Sequence, residues 1–299
     1  VSMSQTILPV FLLIMLGYIL ARRGALDTHA NKALAGLAFK LFMPMVLFTG
    51  MVNAPLHDGL DTRILAAYFV PALFIFTVVN LFTHRSLGHP TPFGLTASFS
   101  NNALIGLAMV AGLYGNAGLV LLFTVLAVHS LLLFSFQSLY SCLAGSEPFK
   151  PAVLIASLAN PMIVGLLLGT VVNLSGLALP GWSMKLATWL AQAALPCALI
   201  VLGANLSGYR LRPNVYVVGI TAAKLAAMPL LVLLVCMLLG ISGLPRGVLV
   251  LMAANPSGVN VLGFSRSQQD SQITSSAICL TTLLSMATLP LWMWINTLL

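Results

Sequence analysis

The sequence predicts an all-α polytopic membrane protein, with ten transmembrane helices in two inverted five-helix repeats. Three observations carry that reading. The 299 residues are 60% hydrophobic and only 6% charged, with a mean hydropathy of +1.04, whereas soluble domains average about 25% charged residues. Such a chain has too little polar surface to meet water. Apolar runs of about 20 residues, the length that crosses a bilayer, recur ten times, at about 5–22, 32–53, 62–83, 92–114, 116–142, 151–173, 182–205, 213–240, 246–265 and 272–298. The order of Pro, Gly and Asn in the first half also returns in the second.

The first run has no basic leader and no small-residue cleavage site, so it reads as a retained span. Ala144-Gly-Ser-Glu-Pro-Phe-Lys150 separates the fifth run from the sixth and sets the expected domains, 1–145 and 146–299. Pro9, Gly17, Gly24, Pro44 and Asn53 match Pro161, Gly169, Gly176, Pro196 and Asn205 at one offset (161 − 9 = 205 − 53 = 152). Pro92, Gly94 and Asn102 match Pro245, Gly247 and Asn255 at 153, while Pro71 meets Pro229 only at 158 and needs compensating loop lengths. Five spans per half is an odd number, so the second copy enters the membrane upside down, as in many secondary transporters. Charge agrees. Loops after spans 1, 3, 5, 7 and 9 hold Arg22, Arg23, Lys32, Arg85, Lys150, Arg210, Arg212 and Arg266, against Arg63, Lys185 and Arg246 on the other side. By the positive-inside rule both termini are extracytoplasmic. Trp182, Trp292 and Trp294 are then expected together at the outer interface as an aromatic belt.

Spans 4 and 9 read as broken. Span 9 contains Ala253-Ala-Asn-Pro-Ser-Gly-Val-Asn260, in which Pro256 removes a helical hydrogen bond and Gly258 loosens the backbone. Span 4 contains Ala97-Ser-Phe-Ser-Asn-Asn-Ala-Leu-Ile-Gly106. Irregular backbone at membrane depth is tolerated where it is buried in protein or lines a cavity. Asn101, Asn102, Asn255, Ser257 and Asn260, with Ser100 and Gly106 in support, therefore form the expected substrate site with Pro256 and Gly258. Their polar groups satisfy freed backbone or grip a ligand, and half-helix N-termini favour an anion. A proline kink with Asn-mediated helix packing is the plainer reading of one such helix. Two polar breaks at corresponding places in two repeats favour a site.

The opening Leu8-Pro-Val-Phe-Leu-Leu-Ile-Met-Leu-Gly-Tyr-Ile-Leu-Ala-Arg-Arg-Gly24, the Pro44 and Pro196 spans, and Ala254-Asn-Pro-Ser-Gly-Val-Asn260 resemble the auxin efflux carrier family over essentially the whole chain. That family includes plant PIN-formed carriers and bacterial malonate and malate permeases. The resemblance implies a fold similar to bile-acid symporters and sodium/proton antiporters, with helices 4 and 9 crossing at the substrate site. It also implies a scaffold of spans 1, 2, 6 and 7 and a moving domain made of the rest. This sequence departs at Ala103, opposite Pro256, where plant carriers have a second proline.

Intramembrane charge is informative because it is costly. The five acidic residues, Asp27, Asp58, Asp61, Glu147 and Asp270, fall in loops or at span ends. A carboxylate-based cation site is thus not expected. Lys224 lies roughly 16 Å into span 8 at about 1.5 Å per residue, where it either binds a substrate carboxylate or neutralises half-helix C-terminal ends. Lys40 is shallower, and snorkelling is the plain alternative to a site role. His129 in span 5 is a proton relay or a hydrogen-bonded neutral imidazole. Cys142, Cys197, Cys236 and Cys279 lie in apolar runs without CxxC spacing and read as packed thiols. The +8 net charge is scattered, so no nucleic-acid partner is expected. No catalytic, cofactor or metal motif appears, which excludes the commoner enzyme classes. The expected function is secondary transport of a small organic anion by alternating access in a cell membrane, for a bacterium the inner one. A mono- or dicarboxylate such as malonate or malate follows from the resemblance alone. Alternatives are a sodium-coupled organic-anion symporter, a channel or a membrane-embedded enzyme. A homodimer and a coupling ion, H⁺ or Na⁺, stay open.

Overall fold

The computed structural model describes residues 3–54, 61–144 and 160–299. Asp58, Glu147, Lys150, the 145/146 repeat boundary and positions 151–159 of the sixth span lie outside them. The described residues are nearly all helical: α1 (Met3–Arg22), α2 (Thr28–Leu37), α3 (Met43–Val52), α4 (Thr62–Leu87), α5 (Phe93–Ser98), α6 (Leu107–Leu143), α7 (Pro161–Ser175), α8 (Gly181–Ser207), α9 (Val215–Ala222), α10 (Met228–Leu238), α11 (Gly243–Ala254) and α12 (Gln268–Leu298). Among them, seven helices are long and apolar enough to cross a membrane. The longest, Asn102–Leu143, takes in parts of two expected spans. At Gly115 its backbone leaves the helical region (φ 59°, ψ −152°), which breaks it where spans 4 and 5 were expected to divide. The α7 helix and α11 are shorter apolar helices.

Among the described residues, π turns occur at Ala38–Phe42, Asn102–Gly106 and Ala223–Ala227. Two of these run into a proline, Pro44 or Pro229, whose missing N–H and bulky ring disrupt the ordinary ladder upstream. The carbonyl four residues before Pro229 belongs to Leu225, and the Trp292 indole N–H donates to it at 2.7 Å. Trp292 is accordingly buried, which corrects its expected place in an interfacial belt, whereas Trp182 and Trp294 are exposed.

The described chain forms two compact units, each drawing on both sequence halves. Residues 3–54, 107–127 and 160–208 form the first. There α1 packs on α8, and α3 on α7. Close backbone approach needs glycine: any Cβ at Gly17 would collide with the Ile200 carbonyl, and one at Gly203 with that of Ile14. A Cβ at Gly169 would stand 2.6 Å from the Phe48 carbonyl. Gly17 on Ile200 and Gly169 on Phe48 are the same contact at the 152-residue offset (17 + 152 = 169; 200 − 152 = 48). Gly24 and Gly176, another pair at that offset, both adopt left-handed backbone (φ 75° and 63°) just after the first described helix of each half. Asn173 donates to the Met51, Val52 and Ala54 carbonyls at 2.9 Å each and ties off the end of α3.

Residues 61–106, 128–144 and 209–299 form the second unit. The described parts of spans 1, 2, 6 and 7, the implied scaffold, all fall in the first unit. Residues 107–127 depart from that scheme by joining it, and small residues explain why. Gly112 lies against Thr6 of α1, and Gly50 of α3 lies under the Phe123 ring.

Candidate functional site

The site lies within the second unit, where two helices stop short. Helix α5 ends because Phe99 takes extended backbone (φ −83°, ψ 106°). Helix α11 ends at Asn255 (φ −59°, ψ 148°), which the ring of the following Pro256 keeps out of the helical region. The two broken stretches cross as an antiparallel bridge between Ser100 and Ser257. The Asn101 N–H donates to the Pro256 carbonyl at 2.8 Å and the Gly258 N–H to the Phe99 carbonyl at 2.9 Å. Each break thus satisfies backbone groups that the other has freed, as burial requires. Gly258 is needed here, since a Cβ would stand 2.6 Å from the Phe99 ring.

Side chains serve the freed carbonyls as well. The Ser257 hydroxyl donates to the Thr96 carbonyl at 2.7 Å, and Lys224 Nζ donates to the Ala253 carbonyl at 2.6 Å. The second bond places the Lys224 amine at the negative C-terminal end of α11, where the helix dipole assists whatever positive charge the side chain carries. The Ser257 N–H reaches the Thr281 hydroxyl of α12 at 3.3 Å.

A buried chain of side-chain hydrogen bonds leads away from the crossing. Asn255 Nδ2 donates to Asn102 Oδ1 at 2.8 Å, and Asn102 Nδ2 donates to the Tyr68 hydroxyl at 2.9 Å. That hydroxyl is 3.3 Å from His129 Nε2. The amide pair lies over Gly106, where a Cβ would stand 2.7 Å from Asn255 Nδ2 and 2.9 Å from Asn102 Oδ1. The His129 ring stacks on Phe99 with centroids 4.3 Å apart. Not every polar atom here is used. Asn101 Nδ2 and Asn255 Oδ1 are buried and have no partner among the described residues, a condition that costs about 1–3 kcal/mol for each such group unless something else meets it.

The structure therefore brings together Ser100, Asn101, Asn102, Gly106, Asn255, Pro256, Ser257 and Gly258, reaching Lys224 through Ala253 and His129 through Tyr68. Asn260 is exposed on the 3₁₀ segment Val259–Phe264. That segment is the continuation of span 9 and is too short for many peptide dipoles to align, so its share of the expected dipole effect is small. Lys40 is exposed in the first unit. Tyr68, Phe99 and Thr281 were not anticipated. Tyr68 had a signal, a phenol in the middle of an apolar run, where its hydroxyl must find a partner. No group of three or more His, Cys, Asp or Glu with metal-binding geometry occurs among the described residues. No carboxylate pairs with Lys224 among them. Away from the crossing, Asp61 caps α4, and hydrogen bonds from the Arg63 side chain hold its carboxyl below the ordinary range.

A family model described as membrane transport protein matches residues 2–141 and 149–293. An "Uncharacterized transporter" of Methanothermobacter thermautotrophicus is 28% identical over 295 residues, covering 97% of each chain. A "Putative malonate transporter" of Rhizobium meliloti is 28% identical over 304 residues, 96% of this chain and 93% of its own. An "Uncharacterized transporter YfdV" of Escherichia coli is 22% identical over 302 residues, 97% of this chain and 96% of its own.

Proposed function

Since the chain belongs to the membrane transport protein family, the auxin efflux carrier family, and is a transporter rather than an enzyme, we propose that it is a secondary carrier for a small organic anion. A mono- or dicarboxylate such as malonate or malate is the substrate, and alternating access is the mechanism. One observation carries this reading: the buried crossing of two broken helices, where Asn101 and Asn255 hold atoms with no partner among the described residues, beside a lysine that no described carboxylate neutralises. The Ser100 hydroxyl and Asn101 amide can donate to a carboxylate, Lys224 supplies opposite charge, and Asn255 Oδ1 accepts from a hydroxyl or a protonated acid. The Rhizobium relative's name supports the choice of malonate.

On this reading the chain holds ten spans in two inverted repeats, 1–145 and 146–299, with both termini extracytoplasmic, in the inner membrane of a bacterial cell. The paired contacts Gly17–Ile200 and Gly169–Phe48, and the Asn102–Asn255 bond between matched positions, support the repeat. Calorimetric titration of the purified protein with malonate, malate, acetate and neutral malonamide tests the site. Saturable binding of one or more acids and none of malonamide is expected. Equal binding of malonamide, or none of any acid, overturns the reading.

A further inference from the structure

Lys224 is fully buried, and among the described residues only one of its three potential N–H donors has an acceptor, the Ala253 carbonyl. Among the described residues, α5, α9, α10, α11 and α12 pack against its π turn. Helix α5 carries no titratable residue. The others carry Tyr216, Cys236, Arg246, Asp270 and Cys279, and none of these makes a hydrogen bond or ion pair with Lys224. Tyr216 bonds to Ser86, and Arg246 to Asn296. His129, likewise buried at the site, offers a base and not a counter-charge.

An unpaired ammonium in such a place is expensive, because burial removes its hydration and one carbonyl dipole does not replace it. The Ala253 bond does not require the charge, since a neutral amine also donates to a carbonyl. Two states of one side chain therefore fit the same geometry. The neutral amine suits the site without an anion, and the ammonium suits the site when a carboxylate supplies the missing counter-charge. Resting on the carboxylate-carrier reading above, we infer that Lys224 takes up a proton from solution as the anion binds and releases it as the anion leaves. The carrier then moves its anion together with H⁺. The balance is simple: one N–H bond forms on Nζ from a solvent proton, and no other bond changes.

Linkage fixes the size of the effect. One proton taken up per anion makes the affinity fall about tenfold for each pH unit above the range where the empty site is protonated. Calorimetric titration of the whole protein with malonate at pH 8, in buffers of unlike protonation heat, counts the protons directly. About one proton per malonate is expected for the native protein. About none is expected for Lys224→Arg, whose guanidinium is charged at any working pH. Malonate binding without proton uptake would overturn the inference and leave the carrier reading standing. Uptake unchanged in Lys224→Arg would overturn it too, because the proton would then land on the substrate or another group. Failure to bind any carboxylate would overturn both. If Lys224→Arg does not fold, carbon-13 NMR of ε-labelled lysine in the native protein decides. One amine-form resonance that converts to ammonium at saturating malonate supports the inference, and its absence from the empty protein contradicts it.

Discussion

Asn102 uses both ends of its amide, accepting from Asn255 and donating to Tyr68. Removing it strands one donor and leaves the Tyr68 oxygen without its amide partner, in a place that water does not freely reach. Asn102→Ala is expected to cost about 2 kcal/mol of stability and to weaken malonate roughly tenfold, since lost hydrogen bonds at buried sites have this size. Thermal unfolding and calorimetric titration read the two effects. Gly106→Ala attacks the same pair from below, by placing a methyl group 2.7 Å from Asn255 Nδ2. Its loss of affinity should match that of Asn102→Ala, and the double variant should be little worse than either, because neighbours sharing one interaction are not additive. Full additivity would show that the amide pair is not the unit that matters. Much of this was legible in the sequence. Amides at membrane depth, recurring at one offset beside Pro256, mark a place where backbone and side chains must satisfy each other. Trp292 was misread because sequence gives a tryptophan near a span end without saying which face of the helix it occupies. The clue lay elsewhere, in the Leu225 carbonyl that Pro229 cannot serve.

Helices in the first unit meet at glycines, and their spacing sets how closely backbones approach. Gly17→Ala and Gly203→Ala each push α1 from α8, and each should destabilise the protein by about 1–3 kcal/mol, the usual cost of overpacking. Because both substitutions open the same crossing, the double variant should lose less than their sum, which melting temperatures in detergent can check. Gly17 was visible beforehand only as half of a repeated pair. Its steric role needed the partner helix, which no single-span pattern supplies. The broken elements divide in the same way. Pro256 announces the end of α11, and Phe99, Ser100 and Asn101 carry no comparable signal for the end of α5, yet both stop. The bridge partner stabilises the second break, and such a partner is invisible locally. For the same reason the continuation of span 9 as a six-residue 3₁₀ segment, and the passage of residues 107–127 into the first unit, were not foreseen.

At the scale of the whole molecule, the two compact units cut across the sequence halves. The proposed alternating access requires the crossing to face one side of the membrane at a time, and an inverted repeat would supply two such arrangements. The proposed orientation rests on charge. A cysteine at Ser242, exposed between α10 and α11, should react with an impermeant maleimide in intact cells, and one at Gln269, exposed at the start of α12, should not. The reverse pattern would remove the charge argument for inverted topology. A carrier, as proposed for this chain, closes its site around one anion before opening to the other side, and counterflow in proteoliposomes detects that behaviour. Vesicles loaded with unlabelled malonate and diluted into a trace of labelled malonate should accumulate label transiently above equilibrium, and a neutral amide inside should drive none. Label that enters quickly but never exceeds equilibrium, whatever lies inside, would identify a channel and rule out a carrier.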